Sequence, residues 1–371
     1  MGTFFPESYA DSRSRFIRDA EAIREKWATS RINSHPLKDF PNLSIDWLWA
    51  EPRVKQTLII ISTAEHGIEG YVGSAMLKIF MDEFAPRLNP QNTGLLLIHA
   101  INPWGMQNAR KVNEHSVDIN RNFTLNGVFD KSINPGFPKL KRLLAPEYPA
   151  RPFFIENLQF TARTLQALAT LGAASLTEAA LLGQYVSPKA MYYGGERYEE
   201  ETSIVTELFR DALVNYQTVI HLDQHSGYGP RYQMSITLVP LEPLSSAELS
   251  AKFNYPLVLR GDRKEFYEIT GDMTAYLYDL RNTEFPGKDI FSCAFEFGTF
   301  GESTLARIRS LRAMIFESQL YWYGAQDVHT AEKIRQEFNE LYFPAEDKWR
   351  EKALADCRQA FKGVLSAYHL L

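Results

Sequence analysis

Residues 57–70 read TLIIISTAEHGIEG. The first half is a continuous apolar run, the pattern of a strand buried on both faces, because a half-exposed strand would alternate. The second half breaks at Gly67 and Gly70. Residues 70–84 then take helical spacing, with Val72, Met76, Ile79 and Phe80 on one stripe. The unit recurs along the chain. Residues 94–101 (GLLLIHAI), 218–223 (TVIHLD) and 291–297 (FSCAFEF) read as further buried strands, and 44–50 alternates in period two. Residues 11–29 read as a charged amphipathic helix. Leu305, Ile308, Leu311, Met314 and Ile315 mark a helix after the last strand. Trp349, Ala353, Cys357, Ala360, Phe361 and Val364 mark another at the end. Apolar strands interleaved with amphipathic helices predict an α/β fold: a mixed, largely parallel twisted sheet covered by helices on both faces. In such sheets ligands bind where strands end.

One stretch breaks the rhythm. Residues 124–214 hold Pro- and Gly-rich pieces (NPGFP at 134–138, PEYP at 146–149) and an Ala/Leu-rich helical piece. They read as an insertion or subdomain on the same core, within a single domain spanning residues 1–371.

Composition narrows the function class. Forty basic and 45 acidic residues give a net charge of −5, with no long basic run, so a nucleic-acid partner is not expected. Two cysteines, Cys293 and Cys357, cannot build a disulfide scaffold. The apolar run at 57–64 is too short to cross a bilayer, so no membrane partner is expected. Residues 1–8 lack a basic stretch followed by an apolar one, so no secretory leader is expected and a cytoplasmic location is.

Chemistry-bearing residues fall just past the strand ends. His66 and Glu69, three apart in a turn entering a helix, can converge on one point. His225 follows the strand at 218–223. Two imidazoles and a carboxylate are natural zinc ligands and leave a position open for water. The competing reading is a surface histidine beside a solvated glutamate, and His221 competes with His225 as third ligand. Arg110, Asn120 and Arg121 follow the strand at 94–101, and forked guanidinium donors match a carboxylate. They suit the free carboxylate of a substrate, or else are surface groups paired with Glu114 or Asp118. Glu296 sits between two phenylalanines, where an ionised carboxylate needs compensation. It reads as a general base beside a metal-bound water, or as a strand-end glutamate bonded to arginine or backbone amides.

Four motifs in order, over roughly residues 44–320, resemble the zinc carboxypeptidase superfamily, including its aspartoacylase and succinylglutamate desuccinylase branch. They are His66-Gly-Ile-Glu69; Asn102-Pro-Trp-Gly, Arg110 and Val117-Asp-Ile-Asn120-Arg121-Asn-Phe; Asp223-Gln-His225-Ser-Gly; and Phe295-Glu296-Phe-Gly-Thr. Residues 183–188 (GQYVSP) and 192–195 (YYGG) are similar to the DUF2817 subgroup. One departure is Pro103-Trp-Gly, where the family has Pro-Asp-Gly. The resemblance implies a metallocarboxypeptidase-like hydrolase with one catalytic Zn2+ on His66, Glu69 and His225. It implies Glu296 as general base, Arg110 at the developing oxyanion, Asn120 and Arg121 on the substrate carboxylate, and Tyr267 closing over the site. A short peptide is the first substrate class and an N-acyl amino acid the second. A metal-dependent binding module without turnover is the alternative of another kind. A second ion is compatible with the motif set, with Asp223 its first candidate ligand.

Overall fold

The computed structural model describes residues 4–260 and 270–371. Eight strands form one sheet: β1 (Thr29–Pro36), β2 (Ser44–Glu51), β3 (Thr57–Thr63), β4 (Thr93–His99), β5 (Thr218–Gly227), β6 (Met234–Leu238), β7 (Val258–Arg260) and β8 (Asp289–Gly298). Their spatial order is β1-β2-β4-β3-β5-β8-β6-β7. The four central strands, β4, β3, β5 and β8, run parallel. β2 joins β4, and β6 joins β8, antiparallel. The sheet is therefore mixed and largely parallel, as predicted.

Alternation along the buried strands divides the core into two layers. Ile59, Ile61, Leu95, Leu97, Ile220 and Leu222 face one cluster, with Val72 and Met76 of the helix Gly70–Ile79 and with Phe361 and Val364 of the helix Asp347–Ala367. Leu58, Ile60, Leu96, Ile98 and Val219 face the other, with Phe209 of the helix Glu200–Asn215 and Leu277 of the helix Met273–Glu284. Continuous apolar strands thus follow from helices on both faces. A third cluster joins helices Phe137–Leu144 and Phe153–Leu181 to helices Thr304–Tyr323 and Val328–Tyr342, and takes in Ile68. Of the stretch 124–214, only its last helix covers the sheet; the earlier helices pack in this third cluster.

Three strands are not in the sequence reading. β1 is never fully buried, so TSRINSHP carries no apolar period. β6 and β7 have five and three residues. The predicted helix 11–29 runs over Tyr9–Arg24 instead, because Thr29 already pairs with Glu51. No helix among the described residues is long and apolar enough to cross a membrane.

Two core histidines couple this packing to pH. His99 on β4 hydrogen-bonds Ser12 Oγ of the first helix (2.8 Å). His221 on β5 lies between Ser62 Oγ (2.8 Å) and Ser292 Oγ (2.9 Å). Burial pushes each imidazole down to about 4. Both are neutral when folded, and the unfolded chain takes up their protons first as pH falls. Their stabilising effect is complete above about pH 6.5 and is lost between there and about pH 4, on the order of 3 kcal/mol per group. Because buried Glu65 and Glu296 titrate with the opposite sign, the loss is read by difference: urea unfolding is expected to show a smaller fall in stability from pH 7 to pH 4.5 in His99→Gln than in the wild-type chain. The same fall in both would contradict this assignment.

Candidate metal centre

The centre forms where β3, β5 and β8 end. β3 leaves the sheet at Ala64, whose left-handed φ of 57° turns the chain. That conformation is uncommon for a residue with a Cβ and persists where the surroundings enforce it. The turn Gly67–Glu69 then presses on the short helix Pro103–Gln107. Gly67 N donates to Lys111 O (3.1 Å) and Ile68 N to Arg110 O (2.9 Å). A Cβ at Gly67 would lie 2.1 Å from the Gly105 carbonyl carbon, so only glycine allows the approach. Asn102 caps the short helix by accepting from Gly105 N (2.7 Å). The Asn102-Pro-Trp-Gly motif is thus the seat on which the turn rests.

His66, Glu69 and His225 meet there. His66 Nδ1 is 2.8 Å from Glu69 Oε1, and His225 Nδ1 is 3.0 Å from Glu69 Oε2. Ser226 N also donates to Oε2 (2.9 Å). One ligand atom from each of the three residues lies within 4.8 Å of the others, and all three side chains are buried. Both imidazoles turn Nδ1 toward the shared carboxylate. Each has its far nitrogen held by a buried aspartate: His66 Nε2 by Asp118 Oδ1 (3.0 Å), His225 Nε2 by Asp223 Oδ2 (2.5 Å). A carboxylate at the far nitrogen fixes ring orientation and leaves the near lone pair for a metal. Two such nitrogens and a carboxylate suit a divalent ion of the zinc type. The donor set fits the expected metal. His221 lies deeper, between the two serines described above.

The charges are mutually compensated. Burial disfavours ionised Glu69, but His66 and His225 outweigh it and hold the carboxyl far below its usual range. Burial and Lys111 oppose a charged His66, yet Glu69 and Asp118 raise it. His225 is raised well above its ordinary value against burial, chiefly by Asp223. Asp118 is kept ionised against burial by Lys111 (Nζ–Oδ2, 2.7 Å) and His66. Lys111, buried and also touching His66 Nε2, was not singled out in the sequence, being overshadowed by Arg110. Asp118 stood there as a possible arginine partner and as a member of the Val117-Asp-Ile-Asn120 motif, with no role toward His66.

A second group of ligand atoms shares His225. Glu65, Asp223 and His225 also come within 4.8 Å of one another. Among the described residues neither Glu65 oxygen has a hydrogen-bond partner, and one lies 3.3 Å from His225 Nε2. Burial pushes Glu65 up to about 8. Asp223 is braced by Ser62 Oγ (2.6 Å).

Glu296 stands beside His225, its direct partner in the β5–β8 register. Its Oε1 accepts from Tyr228 N (3.0 Å). Burial and then Glu69 push its carboxyl up to about 7. Arg121 donates to Asn120 O (2.7 Å) and Leu181 O (3.0 Å), and its buried Nε has no hydrogen-bond partner among the described residues. The guanidinium lies 4.7 Å from the Tyr192 ring centroid. Asn120 Oδ1 accepts from Met273 N (2.9 Å). Arg110 pairs with Glu317 (2.6 and 3.3 Å) and lies over the Tyr321 ring (3.5 Å), with no hydrogen bond to the His66, Glu69 and His225 side chains. Tyr267 lies outside the described residues.

Comparison with solved structures gives broad but distant matches. Bovine thrombin-activatable fibrinolysis inhibitor is 13% identical, with 90% of this chain and 98% of that chain covered and a TM-score of 0.47. Carboxypeptidase A from Helicoverpa armigera is 14% identical, with 94% and 74% covered and a TM-score of 0.48. Murein-tripeptide amidase MpaA from Escherichia coli O157 is 16% identical, with 82% and 97% covered and a TM-score of 0.37. No curated protein matches the sequence. The family described as "Protein of unknown function (DUF2817)" matches residues 5–356, which include every residue of the centre. With nearly its whole length matched, the chain belongs to the DUF2817 family.

Proposed function

We propose that this protein is a zinc-dependent hydrolase that cleaves an amide bond next to a free carboxylate, acting as a carboxypeptidase on short peptides. The observation that carries the reading is the pair of imidazoles turned by Asp118 and Asp223 onto one glutamate. A divalent ion bound there would acidify a water and polarise the scissile carbonyl. His66, Glu69 and His225 hold it. Glu296 has Oε1 tied to Tyr228 N, which leaves Oε2 to take the proton of the attacking water and deliver it to the leaving amine. Arg121, with an unpartnered buried Nε, and Asn120 anchor the substrate carboxylate and set the bond over the centre. Arg110 would stabilise the developing oxyanion on exchanging Glu317 for substrate. The unpartnered Arg121 donor supports a substrate that brings an anion.

A substrate panel tests this. Short peptides with free C-termini are expected to turn over at least about 100-fold better, in kcat/KM, than their C-terminal amides, since an amide leaves a buried cation unmet. Faster turnover of N-acyl amino acids than of any peptide would move the assignment to an amidohydrolase. Absence of turnover in both sets, with metal bound, would leave a binding module.

A further inference from the structure

Tyr342 ends the helix Val328–Tyr342, far in sequence from every motif of the centre, and it is 1% exposed. Its carbonyl accepts from Ser226 Oγ (2.6 Å), one residue past His225. The preceding carbonyl, of Leu341, accepts from Thr299 Oγ1 (2.7 Å), just beyond β8. The helix is thus bolted to the ends of the two strands that carry His225 and Glu296. It also packs against the turn Gly67–Glu69. The Tyr342 ring edge lies over Gly227, where a Cβ would come 3.0 Å from its Cε1. The ring is therefore packed on the strand end two residues past His225, and its helix lies against the turn bearing Glu69.

Its hydroxyl is buried and has no hydrogen-bond partner among the described residues. The neighbouring phenols are satisfied: Tyr192 and Tyr228 share a hydrogen bond (3.0 Å), and Tyr192 also reaches Met314 Sδ (3.4 Å). Burial pushes the Tyr342 hydroxyl well up, with Tyr192, Glu69, Tyr228 and Asp118 adding to it. A buried hydroxyl without a partner destabilises the fold, whereas a phenylalanine of the same shape would not. In a native fold such a group calls for an explanation, and a bound ligand that completes it is one.

We propose that the Tyr342 hydroxyl is an active-site donor, which hydrogen-bonds the oxygen of an amide carbonyl or an equivalent oxygen ligand bound at the His66–Glu69–His225 centre. The inference rests on the reading of that centre as a metal site and adds a residue to it. The hydroxyl supplies a neutral donor fixed by the fold, in addition to the guanidinium of Arg110.

The test compares the wild-type chain with Tyr342→Phe, each loaded with cobalt(II), for affinity toward acetohydroxamate read from the visible spectrum, alongside the thermal midpoint. Tyr342→Phe is expected to bind cobalt normally, to match or exceed wild type in thermal midpoint, and to bind acetohydroxamate about tenfold more weakly. An affinity within twofold of wild type overturns the inference. So does a lowered midpoint or failure to fold, since either makes the hydroxyl structural. A wild-type chain that takes up no cobalt overturns the metal-centre reading itself, a result distinguishable from the others.

Discussion

His66→Ala and His225→Ala are expected to purify with less than a tenth of the metal held by the wild-type chain, which should carry about one divalent ion per molecule. Removing either imidazole leaves two protein ligands, too few for a catalytic zinc site. It also strips Glu69 of one of the two cationic partners that keep it ionised against burial. Asp118→Asn is the graded version. It leaves His66 in place but removes the carboxylate at Nε2, so metal affinity should fall by roughly 10–100-fold without being abolished. Metal analysis after dialysis against a chelator, with circular dichroism to verify folding, separates these outcomes. Full metal occupancy in both alanine variants would end the proposal that these side chains form the site. A stoichiometry near two in the wild type would instead bring in Glu65 and Asp223, and would require both nitrogens of His225.

Glu296→Gln is expected to keep its metal and its fold while losing turnover by roughly 10²–10⁴-fold in kcat, with little change in KM. Glutamine can still accept the Tyr228 N–H that fixes Oε1 of the native residue, so the geometry of the strand end is retained. What it cannot do is take a proton. The substitution also removes a carboxyl pushed up to about 7 by burial and Glu69, so the variant should be no less stable than wild type. Stopped-assay kinetics on the best peptide of the panel, with metal content measured in parallel, give the comparison. Unchanged kcat with metal bound would exclude Glu296 as the base and point the search to another group.

The central strands were legible because burial on both faces leaves its mark locally. In residues 58–61 and 95–98 each successive side chain meets one or other apolar layer, so no polar period survives. β1, β6 and β7 left no such mark, being half-exposed or very short. The candidate ligand residues stood out in the sequence for a similar reason. His66 and Glu69 lie three apart in one turn, and His225 lies at a strand exit.

What only the tertiary structure decided is which group meets which. Asp118 holds His66 across 52 positions. Lys111 rather than Arg110 reaches that aspartate, while Arg110 turns away to Glu317, 207 positions on. Tyr342 packs on Gly227, two residues past His225, from a helix with no motif at all. Hydrophobic period and ligand spacing are properties of neighbouring residues, so the amino-acid order alone carries them. Pairings between distant side chains depend on strand register and helix docking. One register, β5 against β8, places His225 beside Glu296, and a shift of a single residue would turn one of them to the opposite face.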